Sequence, residues 1–340
     1  MPATRPITRP ASGPTARSAA QPTTRAGAAA RLAAPAGSAA RVHPPALLVY
    51  LDAVARAGSI RKAAEGLHVA STALNRRILN LEEELGTPVF ERLPSGVRLS
   101  AAGEIFMAYV RSSLSDLSSA VSRIEQLRGL VRGEVQIAAA ESVTLDLLPQ
   151  AMAAFQARHP GVGFRVRSGG TEALLEHLLS DACDLLLAHD PPESEALDRL
   201  AEVPQPLCAL LRPDHPLAGR DAIRLADCAP YPVALGEATF GGRRLIDRVL
   251  AATRLKLNVT LVASSVQSMA AYTRQTGAIS FQFAVGTRHE VRRGDLLALP
   301  LTDRAFGRAR LVLAARRGRT LPIAALRFAE VLKASLAGAV

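Results

Sequence analysis

Apolar positions in the chain fall into two rhythms: a helical spacing over the first third, then a regular alternation of short apolar runs with helical stretches. Leu47, Leu48, Leu51, Val54 and Ala55 form an inward stripe that predicts a helix from about residue 45 to 57. Gly58 ends it, and Ser59 is a suitable N-cap for a second helix carrying Ile60, Ala63, Ala64 and Leu67 on one face. A third helix starts near Ser71, with Leu74, Ile78, Leu81 and Leu85 at spacings of four, three and four. After it, Phe90 to Leu99 reads as strand, turn, strand, with Leu93-Pro94-Ser95-Gly96 at the turn. From Ala101 to about Arg128 no proline occurs, and only Gly103 interrupts a helical pattern. Met107, Val110, Leu114, Leu117, Val121 and Ile124 follow a 3-4-3-4-3 spacing, a heptad seam read as a dimerising helix in preference to packing within its own domain.

The second rhythm alternates strand and helix. Strands are expected at 134–139, 162–166, 184–188, 231–235, 257–263, 278–283 and 310–314. Helices are expected at 146–158, 172–180, 242–252, 266–276 and over the last stretch of the chain. This order predicts two parallel-sheet α/β lobes, with segments near 207–211 and 297–301 crossing between them. The resulting division is an Ala/Pro/Arg-rich arm (1–43), a small helical module (44–103), a connecting helix and hinge (104–132) and a bilobal half. That half has one lobe of 133–204 plus 303–335 and another of 205–302.

Ligands in such folds bind outside the carboxyl ends of strands, where helices begin. That rule selects Glu141, Ser142 and Thr144, then Ser168, Gly169, Gly170 and Thr171 in one lobe. In the other it selects Gly236, Glu237 and Thr239, then Ser264, Ser265 and Ser268. Hydroxyls and helix-start amides suit a carboxylate or similar anion, although each of these residues is also an ordinary N-cap. Arg243 and Arg244 either pair with such a ligand or lie on an exposed helix face. Isolated Gly-Gly pairs at 169–170 and 241–242 read as turns.

In the small module, the polar side of the third helix begins Ser71, Thr72, Asn75, Arg76, followed by Arg77. Short hydroxyl and amide groups followed by arginine are what a helix reading the DNA major groove needs. Two plainer readings stand beside this one: Ser71 and Thr72 as caps, and Arg76 and Arg77 paired with Glu82 to Glu84. The turn at 93–96, flanked by Arg92 and Arg98, suits a wing against the DNA backbone.

The runs Gly58-Ser59-Ile60-Arg61-Lys62-Ala63-Ala64, Leu67-His68-Val69-Ala70, Leu81 through Arg92, and Val97 through Gly103 resemble the winged helix-turn-helix of LysR-type transcriptional regulators. The resemblance is dense over 45–105 and looser over 130–335. It implies an α/β protein with a helix-rich amino-terminal winged helix-turn-helix, a long linker helix, and a two-lobed periplasmic-binding-protein-like effector domain. DNA contacts carried over from the family fall on Arg61, Ser71, Thr72, Asn75, Arg76 and Arg92, with Pro94 and Ser95 in the wing. This chain has Ser71-Thr72-Ala73-Leu74-Asn75 where the family usually opens Ser-Gln-Pro/Ser-Ala-Val-Ser. Thr72 cannot make the bidentate adenine contact of a glutamine, whereas Asn75 can. The partners implied are double-stranded promoter DNA, a small-molecule effector, further copies of the chain as dimer or tetramer, and RNA polymerase.

Composition adds little to the specific motif. The formal charge of +11 favours a polyanionic partner, but six arginines and no acid lie in the first 43 residues, so the remainder carries about +5. That arm has no periodic face to bury and reads as disordered. Cys183, Cys208 and Cys228 are scattered, which suits buried apolar roles in a reducing cytosol. Phosphate-loop, HExxH, GxSxG and EF-hand patterns are all missing, and His177 and His189 lack ligand-spaced neighbours, so no cofactor, metal or membrane span is expected. Two rival functions remain: a bilobal enzyme or solute-binding protein, for which Glu141 is the tempting acid or base, and a nonspecific DNA-packaging protein.

Overall fold

The computed structural model describes residues 42–127 and 131–338. Most of the arm and part of the hinge near Gly129 lie outside the described residues. Three helices come first: α1 (Ala46–Ala57), α2 (Ile60–Leu67) and α3 (Ser71–Leu85). Gly58 closes α1 at a positive φ of 60°, and the Ser59 side chain caps α2 by accepting from the Lys62 amide at 3.4 Å. Leu51, Val54, Ala63, Ala64, Leu74, Ile78 and Leu81 share one core, and the alanines let α2 and α3 cross closely. Leu85, expected on the same stripe, is exposed: α3 ends there and its last turn leaves the core.

The strands β1 (Phe90–Leu93) and β2 (Gly96–Leu99) pair antiparallel as the wing, in the register Phe90↔Leu99. Its base is pinned twice. The Glu82 carboxylate accepts from the Val89 and Phe90 amides at 2.8 and 2.9 Å, and the Val97 amide donates to Gly58 O at 2.9 Å. Gly96 has no room for a side chain, because an added Cβ would stand 2.2 Å from Gly58 O.

The long helix α4 (Ala101–Gln126) follows, with Ser100 as N-cap. Met107 and Val110 are fully buried in the core of the small module. The expected heptad seam therefore fails at its first two positions, whose side chains have no surface left for a partner. Leu114 packs partly on the same core, Leu117 and Val121 are half-buried, and Ile124 is exposed. The large apolar side chains of α4 that do face solvent are Ile105, Tyr109 and Ile124.

Two five-stranded sheets build the rest. In chain order the elements are β3 (Gly133–Ala139), α5 (Glu141–Thr144), α6 (Leu147–Arg158), β4 (Val162–Ser168), α7 (Thr171–Leu179), β5 (Leu185–His189), β6 (Leu197–Pro204), β7 (Leu207–Leu211), β8 (Pro232–Gly236), α8 (Gly241–Thr253), β9 (Asn258–Ala263), α9 (Val266–Thr276), β10 (Ile279–Phe283), α10 (Ala284–Arg293), β11 (Leu297–Pro300), β12 (Arg310–Arg316) and α11 (Ile323–Ala337). The strand orders are β4-β3-β5-β12-β6 and β11-β7-β10-β8-β9.

Neither sheet is all-parallel. β3, β4 and β5 are parallel, whereas β12 runs antiparallel to β5 and β6. In the second sheet β8, β9 and β10 are parallel, whereas β7 is antiparallel to both β10 and β11. The segments expected as crossovers, 207–211 and 297–301, are largely β7 and β11 within the second lobe. The chain enters that lobe immediately before Leu207 and leaves it after Leu301. Strand β6 and helix α10 were not anticipated, since neither 197–204 nor 284–293 shows a clean apolar period.

Candidate functional site

The exposed end of the small module brings together the start of α3 and the wing. Ala70 is the N-cap of α3 and no side chain caps it, so Ser71 and Thr72 are not tied up as caps. Ser71, Thr72, Arg76 and Arg77 are exposed while Leu74 and Ile78 beneath them are buried. The pairing of Arg76 with Glu82 to Glu84 does not occur. Glu82 is turned towards the wing, and Arg76 makes no ion pair among the described residues. Arg77 lies over the Tyr50 ring at 5.5 Å. Arg61 pairs with Glu65 in the exposed open at 3.3 Å, a contact too solvated to hold it against a phosphate.

Asn75 is not a free adenine reader in this state. Its Oδ1 accepts from Arg92 Nη2 at 2.9 Å, bridging α3 to the wing. Arg98 donates to Glu91 across the hairpin, whereas Pro94 and Ser95 stand exposed at the tip. Exposed donors on a helix start and an adjacent exposed loop form a surface that fits a groove and its flanking phosphates.

A second site lies between the two sheets. Carboxyl ends of β3, β4 and β5 face those of β8 and β10 across a cavity of about 60 Å³. Of the residues selected from the sequence, Glu141, Ser142, Gly169, Thr171 and Gly236 line it. Ser265 borders it through Glu141, whereas Thr144, Ser168, Thr239 and Ser264 are not among its lining residues. Thr144 donates to Glu141 O within its own helix, and Ser168, Thr239 and Ser264 are exposed.

The lining residues that the sequence did not select include three at strand ends, His189, Gln282 and Phe283. His189 ends the buried run Leu185 to His189, and Gln282 and Phe283 end β10. The strand-end rule applies to all three, but an apolar run ending in His or Phe reads as core. The His189 ring stacks on Phe283 from the opposite lobe, with centroids 3.7 Å apart. Its Nε2 is 2.8 Å from Ser142 Oγ. Burial pushes its pKa down to about 3, so the ring is neutral at pH 7.

The cleft is closed by direct contacts. Glu141, from the first lobe, accepts from Ser265 Oγ at 2.8 Å and from the Val266 amide at 2.9 Å, at the start of α9 in the second. This helix start, expected to be open to an anionic ligand, is occupied by the protein's own carboxylate. The two Gly-Gly pairs are close-approach points rather than simple turns: a Cβ on Gly170 would meet Thr239 at 2.6 Å, and one on Gly241 would meet His189 O at 3.2 Å. Arg243 donates to Asp247 and Gly236 O, and Arg244 to Glu172 and Asp190 O. Among the described residues no group of three or more His, Cys, Asp or Glu is placed to hold a metal ion. No described helix is long and apolar enough to cross a membrane.

Residues 45–104 match the family described as bacterial regulatory helix-turn-helix protein, lysR family, and residues 128–337 match the LysR substrate binding domain. The chain belongs to the LysR family. Among relatives of this LysR protein is the RuBisCO operon transcriptional regulator of Allochromatium vinosum, 37% identical over 201 residues, which cover 59% of this chain and 66% of that one. The regulator of the same name in Acidithiobacillus ferrooxidans is 33% identical over 196 residues, 58% of this chain and 63% of that one. The chain thus spans just under two thirds of both.

Among solved structures, a variant of full-length OxyR from Pseudomonas aeruginosa has a TM-score of 0.63 at 22% identity, covering 85% of this chain and 96% of that chain. CbnR, a LysR family transcriptional regulator, gives 0.58 at 21% identity, covering 86% and 98%. These likenesses establish the LysR fold, with its helix-rich amino-terminal module and two-sheet α/β half.

Proposed function

We propose that this LysR protein is a transcriptional regulator that binds promoter DNA through α3 and the wing and responds to a small molecule held between its lobes. The observation that carries the reading is the arrangement at α3: Leu74 and Ile78 are buried while Ser71, Thr72 and Arg76 project from the other side beside the wing tip. The Arg92–Asn75 bond fixes the wing relative to that helix, so one rigid surface carries both groove-reading and backbone contacts. Arg61, Arg77, Arg92, Pro94 and Ser95 complete the proposed contact set.

The protein acts in the cytoplasm without catalysing a reaction. It self-associates through the solvent-facing apolar side chains of α4, Ile105, Tyr109 and Ile124, with Leu117 and Val121 beside them, because paired helix-turn-helix modules read paired half-sites. RNA polymerase is the partner through which promoter occupancy reaches transcription. Effector binding shifts the balance between assemblies, by ~1–3 kcal/mol for a typical allosteric coupling.

Footprinting of the purified protein across its own upstream intergenic region tests the reading. Protection of a near-palindromic site is expected, and Arg76→Ala should weaken it by about 1–3 kcal/mol, or roughly 5- to 150-fold. Equal affinity for random duplex would instead support the packaging alternative.

A further inference from the structure

The chemistry of the cleft selects a class of ligand, an inference that rests on reading this cleft as the effector site. The start of α9, where an amide and a hydroxyl suit an anion, already holds the Glu141 carboxylate. Arg243, the cation among the lining residues, is bonded to Asp247 and Gly236 O. Its neighbour Arg244 is bonded to Glu172 and Asp190 O. An acidic ligand would therefore be buried beside Glu141 without a counter-charge, which is costly. A cationic one would find both oxygens of Glu141 already engaged by Ser265 and the Val266 amide, and would lose its hydration for a carboxylate it cannot fully pair.

Two polar atoms in the cleft wall have no hydrogen-bond partner in the protein: His189 Nδ1 and Gln282 Oε1. Both residues line the cavity, and they are only 3% and 2% exposed. The Gln282 amide is oriented by its Nε2, which donates to Val266 O at 3.1 Å, so Oε1 is left as an acceptor. A buried acceptor of this kind calls for a donor. Phe240, Ile246, Met269 and Phe281 supply an apolar part of the wall, beside Glu141, Ser142, Thr171 and Arg243.

We propose that the cleft takes a small uncharged molecule, with an apolar body and an N–H or O–H donor directed at Gln282 Oε1 and a second polar atom at His189 Nδ1. Primary amides, ureas and alcohols belong to this class. The cavity of about 60 Å³ admits roughly five non-hydrogen atoms, given the ~10–15 Å³ that a water-sized centre needs. Glu141 provides the discrimination: by filling the helix start it turns away a carboxylate of the same shape.

Matched pairs test this. Propionamide against propionate, and acetamide against acetate, are titrated into the full-length protein and followed by saturation-transfer NMR and thermal shift. The amides should bind with a Kd on the order of millimolar, and the isosteric carboxylates about tenfold or more weakly. Gly286→Ala would place a methyl 3.0 Å from Gln282 Oε1 and 2.9 Å from Ser142 Cβ, and should abolish amide binding. Glu141→Ala, which vacates the helix start, should gain carboxylate binding.

Carboxylates binding wild-type protein as well as the amides do, or amides failing to bind it, overturns the proposal whatever the variants do. Failure of Glu141→Ala to gain carboxylate binding overturns the role given to Glu141. Gel shifts on the same samples separate the two levels. If specific DNA binding persists while the amides fail, only the ligand class falls; if specific DNA binding is itself missing, the regulator reading falls.

Discussion

His189 contributes to stability only while it is neutral. Its folded pKa, about 3, lies below the ordinary value near 6.5, because the ring is buried against Phe283 and Ser142. Between those two pH values the unfolded chain binds the extra proton, so stability is fully present above about pH 6.5 and falls as the pH drops towards 3. At pH 5 the loss amounts to about 2 kcal/mol. Asp184 and Asp190, whose pKa values burial raises, act with the opposite sign, so the variant must be compared with wild type. Denaturant unfolding at pH 5 and 7.5 should show His189→Asn with a flatter pH dependence; an unchanged slope would place the imidazole in solvent. The cysteines are governed by the same physics. Burial pushes Cys183 and Cys228 up to about 12 and Cys208 up to about 11. Thiolate is the reactive form, so all three should resist a thiol-disulfide reagent until the protein unfolds. Fast labelling under native conditions would contradict that burial.

At the scale of elements, the wing and the long helix depend on glycines that admit close backbone contact. Gly103, inside the first turn of α4, would carry a Cβ only 2.0 Å from Val89 O. Gly103→Ala should therefore cost about 1–3 kcal/mol through displaced backbone, measured as a fall in denaturant midpoint. A neutral substitution would mean that α4 starts elsewhere. The serines of α4 have a role that the apolar heptad concealed. Ser119 Oγ donates to Thr320 O, Ser122 Oγ accepts from the Ile323 amide, and Ser115 Oγ accepts from Arg319 Nε. At intervals of four and three they form a polar stripe that docks the helix on the chain's own β12–α11 loop. The period of this stripe is visible in the sequence, but its partner is about 200 residues away.

Across the whole molecule, Arg319 is where that docking is concentrated. It is 8% exposed in its side chain and bonds Asp184 at 2.6 Å, Ser115 Oγ at 2.7 Å and the Cys183 carbonyl at 2.5 Å, tying the first lobe to the helix that leads from the helix-turn-helix module. Removing one partner of a buried ion pair leaves an uncompensated charge and costs about 3–5 kcal/mol. Arg319→Ala should show a loss of that order, and Arg319→Lys should restore part of it without the bond to Ser115. If ligand response of DNA binding is unchanged in a folded Arg319→Lys protein, the coupling proposed between cleft and DNA does not run through this contact.

Local pattern alone determined the helix-turn-helix, the wing and the alternation of strands and helices. Caps, turn glycines and apolar periods act between residues a few positions apart, so Gly58, Ser59, Leu74 and Ile78 could be placed from the sequence. The tertiary structure decided what depends on distant partners. It turned β7 and β12 antiparallel to their neighbours, buried Met107 and Val110 in their own module, and set Asn75 on Arg92. It also put Glu141 into the helix start that the sequence offers to a ligand, and brought His189 against Phe283. Sheet direction and lobe closure are fixed by contacts made over tens to hundreds of residues, and such contacts leave no period in the chain.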